Sequence, residues 1–125
     1  MSGRPESVDP RVARGREVRS VAEIVHADGE AVALRIAFAD GDCLVCTAWT
    51  DWTLVVEPRP DAALPDYFWP ASSFTTRPLP FAAGAQVVSA AQVRDEVGQV
   101  MGADFLIGDR RVSVRAYGGG INVTA

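Results

Sequence analysis

Alternating side chains over residues 31–38 constrain the fold of this chain more than any other feature. The larger apolar residues recur at every second position: Val32, Leu34, Ile36 and Phe38. A period of two over eight residues is typical of a β-strand. Asp40-Gly41-Asp42 follows with the residues of a tight turn. Residues 43–49 and 53–57 are further apolar runs, separated by Thr50-Asp51-Trp52, so the pattern predicts a meander of antiparallel strands.

The segment 18–57 resembles the segment 87–125 when the two are placed side by side. Val18 falls over Val87 and Phe38 over Ile107, and each pair is 69 positions apart. The offset falls to 68 and then 67 in the turns, where changes in length are tolerated. We therefore expect an all-β protein of about eight antiparallel strands. These would form two duplicated four-stranded meanders, packed as a sandwich or a partly open barrel.

Two segments also fit a helix. Val18, Val21, Ala22 and Val25 would share a helical face, whereas Val18, Ala22 and Ile24 would share a strand face. Residues 90–101 raise the same question, because Val93, Val97 and Val100 lie on one helical face. The similarity between the two segments favours strands in both.

The domain organisation follows from length and proline content. A chain of 125 residues is large enough for one domain with a core, here residues 16–125. Residues 1–15 are polar and arginine-rich, which predicts a mobile N-terminal arm. The crossing between the copies, residues 58–85, holds six of the eight prolines. Proline excludes a regular central strand or helix there, and the many aromatic residues exclude a disordered linker. One helical turn near residues 66–72 is compatible with this pattern.

Charge and hydropathy indicate which classes of partner this chain can have: nucleic acid, protein or membrane. The net charge is −4, and residues 21–80 alone carry −6. This acidic segment argues against nucleic acid and is compatible with a basic protein partner. No apolar run is long enough for a membrane helix, and the N-terminus has no secretory signal, so we expect a cytoplasmic protein without membrane contact.

The chain lacks the usual residues of a catalytic or metal centre. Cys43 and Cys46 would point to opposite faces of one strand, so we expect buried free thiols and neither a disulfide nor a zinc site. His26 is the only histidine, and no serine or cysteine has a plausible base. We expect no catalytic residues, no metal and no cofactor, although carboxylates alone can do acid–base chemistry.

The best candidates for function are aromatic residues beside acids. Trp52 has no counterpart in the second copy, where a glycine stands, whereas Trp49 aligns with Tyr117. Large aromatic side chains with acids at the rim are typical of protein-binding surfaces. Two classes of function remain open: a non-enzymatic module that binds a protein, for example an immunity-type protein that caps a basic partner, or a small-molecule binder or enzyme that uses a cavity between the copies. The predicted binding residues are Trp49, Asp51, Trp52, Glu57, Tyr67 and Trp69.

Overall fold

The computed structural model describes residues 4–81, 83–117 and 120–125. Within them the chain forms nine strands in two antiparallel sheets, which confirms the predicted all-β class. The first sheet has the order β4-β3-β2-β1-β5 and the second β6-β7-β8-β9, and the sheets do not close into a barrel. The strands are β1 Val18–His26, β2 Ala31–Phe38, β3 Cys43–Ala48, β4 Leu54–Arg59, β5 Phe74–Pro78, β6 Val87–Arg94, β7 Val100–Ile107, β8 Arg110–Tyr117 and β9 Gly120–Thr124.

Both ambiguous segments are strands. β1 occupies Val18–His26, and residues 90–101 hold the end of β6, a turn and the start of β7. The helical alternatives are therefore wrong. β1 is buried on both faces, which explains why its apolar residues also fit a helical pattern.

The two meanders have the same strand register. β1 pairs with β2 from Val18↔Phe38 onward, and β6 pairs with β7 from Val87↔Ile107 onward. Every pair of the first ladder has its counterpart 69 residues later, and both ladders shift register at equivalent positions. The β3–β4 and β8–β9 ladders correspond in the same way at offsets of 68 and 67. This agreement supports the duplication hypothesis, which stays a prediction about the origin of the chain.

A short antiparallel bridge joins the meanders. Glu17 pairs with Gln86, and hydrogen bonds on either side occur as equivalent pairs. Gly15 N–H donates to the Val87 carbonyl at 2.8 Å, and Gly84 N–H donates to the Val18 carbonyl at 2.9 Å. The bridge thus relates the two meanders by an approximate twofold.

The main core lies between the two sheets. Its largest side chains are Phe38 and Phe105, each 1% exposed, and the thiol of Cys46 lies among them. Cys43 is also buried but pairs across the sheet with Ala37, on the opposite face. Both cysteines are therefore buried free thiols on opposite faces, as their spacing predicted. Val32 and Met101 lie outside this core, because each is the residue skipped at a register shift of its ladder. The preceding residues, Ala31 and Val100, pack against the core instead.

The crossing covers the outer face of the first sheet. Leu64, Phe68 and Phe74 pack there against Ile24 and Val45, in a second, smaller apolar cluster. Part of the crossing is itself a strand, β5, which pairs with β1 and was not expected. Its position at the sheet edge, with Pro78 as its last residue, fits the rule that proline avoids central strands. A 3₁₀ turn at Ala71–Ser73 precedes it.

The N-terminal segment makes specific contacts. Val8 N–H donates to the Val56 carbonyl at 2.9 Å, and Val56 N–H donates to Ser7 Oγ at 3.0 Å. A 3₁₀ helix at Pro10–Ala13 packs against β6 and buries Ala13 completely. These contacts attach residues 7–13 to β4 and β6. The mobility expected for residues 1–15 stays a prediction.

Candidate functional site

One five-residue turn geometry joins β1 to β2, β2 to β3, β3 to β4 and β6 to β7. In each, the first residue donates its N–H to the carbonyl of the fifth, and the fourth donates its N–H to the carbonyl of the first. The fourth residue has a positive φ in every case. In chain order this fourth residue is Gly29, Gly41, Trp52 and Gly98.

Trp52 is thus the exception in a position that otherwise holds glycine. Its φ is +67°, and it is the one non-glycine residue with positive φ in the described part of the chain. A bulky L-residue is strained in this region, because its Cβ approaches the neighbouring backbone. The side chain is 64% exposed, so little packing offsets the strain. Strained, exposed residues of this kind cluster at functional sites.

Asp51 has a structural role in the same turn. Its Oδ1 accepts hydrogen bonds from Thr53 N–H at 3.1 Å and from Thr53 Oγ1 at 2.6 Å. Asp28 and Asp40 make the equivalent backbone bond in their own turns. The Thr53 hydroxyl holds the pKa of Asp51 below its usual range. Asp51 therefore shapes the loop that carries Trp52, and it remains exposed at the surface.

Trp49, Tyr67 and Glu57 form one connected, partly buried group. The ring of Trp49 meets Tyr67 edge-on, with centroids 5.3 Å apart. The Tyr67 hydroxyl donates to Glu57 Oε1 at 2.6 Å, and Arg59 Nη1 donates to Glu57 Oε2 at 2.9 Å. Burial raises the pKa of Tyr67, and the hydrogen bond to Glu57 raises it further. The Glu57 side chain is only 14% exposed, so it anchors the crossing and is poorly placed to meet a partner.

The crossing turns outward directly after this group. Phe68 packs inward between Tyr67 and Phe74, with ring centroids 4.8 and 5.2 Å away. Trp69, the next residue, is 82% exposed. We use the term aromatic surface for Trp49, Trp52, Tyr67 and Trp69. The Trp49–Tyr67 contact joins its two segments, and each segment carries one exposed indole.

Two shallow clefts lie elsewhere, on either side of Arg16. One has a volume of about 220 Å³ and is lined by Phe38 and Asp40 among others. The second, of about 260 Å³, is lined by Cys43 and Arg59 among others. Across the residues that the structure describes, no three His, Cys, Asp or Glu side chains converge as metal ligands.

Sequence reasoning missed the residues that hold the aromatic surface in place. Leu64 and Phe74 fix the crossing on the first sheet, and Arg59 holds Glu57. One signal for this was available: β3 reads CLVCTA, and its interior residues are buried on both faces. A strand of this kind needs a cover on each side, and the crossing is the nearest aromatic-rich segment.

The fold and this surface define an all-β protein of two facing sheets, with an exposed aromatic surface formed by the β3–β4 turn and the crossing. Comparisons with protein-family models, with curated proteins and with solved structures found no match. Among the described residues, no helix has the length and apolar character needed to cross a membrane.

Proposed function

We propose that this chain is a cytoplasmic, non-enzymatic protein-binding module that caps a basic partner protein, in the way immunity proteins cap nuclease toxins. The observation that carries the proposal is Trp52, an exposed tryptophan at a turn position that three other hairpins fill with glycine. A residue that strains its turn and is largely exposed is best explained by a contact outside the chain. Tryptophan is also the residue most enriched at the energetic centres of protein interfaces.

The surroundings of Trp52 suit a protein partner. Trp69 adds a second exposed indole on the neighbouring segment, and the Trp49–Tyr67 contact holds the two segments together. Rigid aromatic side chains lose little entropy on binding, so a surface supported in this way is ready to bind. The aromatic surface would therefore hold the complex together.

The charge of the same region suits a basic partner. Residues 21–80 carry a net charge of −6. Asp61 and Asp66 are exposed on the crossing, close in sequence to Trp69. Acids at a rim accelerate the encounter with a basic protein, and salt weakens this effect. Asp66 is the better charge to test, because Glu57 is enclosed and Asp51 shapes its turn.

The test is affinity capture from the organism that encodes this chain, with three forms of the protein as bait: wild type, Trp52→Gly and Tyr117→Ala. Tyr117 is 74% exposed and lies in the second meander, so its variant removes an exposed aromatic outside the proposed site. We expect a basic protein to be recovered by wild type and by Tyr117→Ala. Trp52→Gly should bind the purified partner about 30-fold more weakly, equivalent to about 2 kcal/mol.

The acidic residues and Trp52 should affect different rate constants of the same complex. Asp66→Asn should lower the association rate, with an effect that shrinks as salt is added, whereas Trp52→Gly should raise the dissociation rate. Equal recovery by all three baits, or no protein recovered by wild type, would contradict the proposal.

The second candidate is a small-molecule site, and the clefts beside Arg16 are the observation in its favour. Their lining residues lie between positions 16 and 60, in the first meander and the bridge that precedes it. A ligand there would meet Arg16, which already binds Asp40 at 2.7 Å and stacks on Phe38. Arg16→Ala would abolish such a site and leave capture of a protein by the aromatic surface intact.

A further inference from the structure

The four edges of the two sheets differ in how they are protected. An unprotected edge presents free N–H and C=O groups that pair readily with another strand, so proteins usually block it with charge, proline, a bulge or a covering segment. β4 is covered at Val56 by residues 7–8 and contains Pro58 and Arg59. β5 contains Arg77 and Pro78. β6 carries two register shifts, and its start pairs with the segment before β1.

Within the described part of the chain, β9 has none of these protections. Its residues, Gly120–Thr124, include neither a charge nor a proline, and its ladder with β8 has no register shift. Among the residues that the structure describes, only β8 pairs with it. Asn122 and Thr124 are exposed, and Ile121, Val123 and Thr124 are β-branched residues that favour extended pairing.

The equivalence of the two meanders shows which groups of β9 face outward. Val56 of β4 directs both its N–H and its C=O away from β3, toward residues 7–8. Val123 holds the same register position, because Cys46↔Val56 corresponds to Val114↔Val123. Val123 therefore directs its N–H and C=O away from β8, and Ile121, two residues earlier, does the same.

We propose that β9 pairs antiparallel with β9 of a second copy of this chain. A twofold axis at the free edge would relate the two copies. The paired β9 strands would then join two four-stranded sheets into one sheet of eight strands. A second copy suits this edge because the strand is neutral, so self-pairing brings no like charges together. With the axis at Asn122, the exposed Asn122 side chains of the two copies face each other and can hydrogen-bond. This interface is separate from the aromatic surface and does not depend on the proposed function.

The test is sedimentation of the wild-type protein from micromolar to millimolar concentration, compared with Val123→Pro. Proline at this position removes only the outward N–H. The equivalent strand β4 already accommodates a proline of the same orientation, because Pro58 lies two residues after Val56, the counterpart of Val123. We expect a monomer–dimer equilibrium in the wild type that Val123→Pro weakens by about tenfold or more, because proline blocks the ladder at its centre.

A second pair of variants keeps the test independent of folding effects. Asn122→Lys alone should weaken the dimer by repulsion across the axis, and mixing it with Asn122→Glu should restore association as a heterodimer. Thr76→Lys, on the edge strand β5, is the matched control and should leave the dimer unchanged. A wild-type protein that stays monomeric throughout, or a dimer that survives both Val123→Pro and Asn122→Lys, would overturn the proposal.

Discussion

Asp51 and Trp52 are adjacent in one turn, and they differ in what they do for it. Asp51 accepts two hydrogen bonds from Thr53, as Asp28 and Asp40 accept backbone bonds in their turns. Trp52 occupies a left-handed position at φ +67° with most of its side chain in solvent. At the scale of the residue, therefore, Asp51 stabilises the hairpin and Trp52 strains it.

Tyr67 gives a prediction at the same scale. Its pKa is raised from an ordinary value of 10.0 by burial and by the hydrogen bond to Glu57. The folded state therefore holds this proton more tightly than the unfolded state does. The associated stability is fully present below about pH 10 and is lost as the pH rises above it.

Urea unfolding of wild type and Tyr67→Phe across the alkaline range measures this effect. Near neutral pH the wild type should be more stable by about 1 kcal/mol, because Phe leaves the enclosed Glu57 without one donor. The difference between the two proteins should shrink as the pH passes 10 and rises further. A difference that stays constant would show that Tyr67 is not the group responsible.

The two sheets differ at the scale of the element. The first sheet is covered on its outer face by the crossing, whereas the second carries polar groups there. On that face the Arg115 side chain lies across Gly102 and donates to Asp104 at 2.8 Å. This hydrogen bond holds the pKa of Asp104 below its usual range. Equivalent strands in the two meanders therefore pair in the same register but have different side chains on their outer faces.

Gly102→Ala tests the close contact between β7 and β8. A Cβ at this position would lie 2.7 Å from both the Val114 carbonyl oxygen and Arg115 Cδ. The backbone carbonyl cannot move without disturbing the ladder, so we expect a loss of about 1–3 kcal/mol in the free energy of unfolding. Ser89→Ala, at an exposed position on the neighbouring strand β6, should change stability by less than about 0.5 kcal/mol. Equal stability of Gly102→Ala and wild type would contradict this packing.

Local patterns predicted most of these elements. Alternation over 31–38 and its counterpart in 100–107 identified the meanders, because the period of two is set by neighbouring residues. β5 was not predicted, because its pairing with β1 joins residues about 50 positions apart and no local pattern reports such a contact. The strain at Trp52 was also missed, although Asp28-Gly29 and Asp40-Gly41, compared with Asp51-Trp52, carry the signal in the sequence.

The candidate site was predicted in part for the same reason. Composition identified Trp49, Trp52, Tyr67 and Trp69 as unusual, but it could not separate the exposed indoles from the supporting rings. That distinction depends on how the crossing lies on the first sheet. The enclosed position of Glu57 depends in turn on Arg59 and Tyr67, two contacts that composition does not report.

At the scale of the whole molecule, the two meanders share a strand register but differ in the residues at their surfaces. The shared ladders and the bridge at Glu17 and Gln86 give the chain an approximate twofold, and duplication remains the simplest hypothesis for it. The crossing and Trp52 are two departures from that symmetry. Trp52 and two residues of the crossing, Tyr67 and Trp69, belong to the aromatic surface, so the proposed function rests on parts of the molecule that the repeat does not explain.

The central claim is that Trp52 is present for binding and not for folding, and the free energy of unfolding tests it most directly. Trp52→Gly removes the strain of an L-residue at positive φ, whereas Trp52→Ala removes the indole and keeps that strain. In urea unfolding we expect Trp52→Ala to match wild type, and Trp52→Gly to be more stable than Trp52→Ala by about 1 kcal/mol. If both variants instead lose more than about 2 kcal/mol, the indole belongs to the core packing and the claim is wrong.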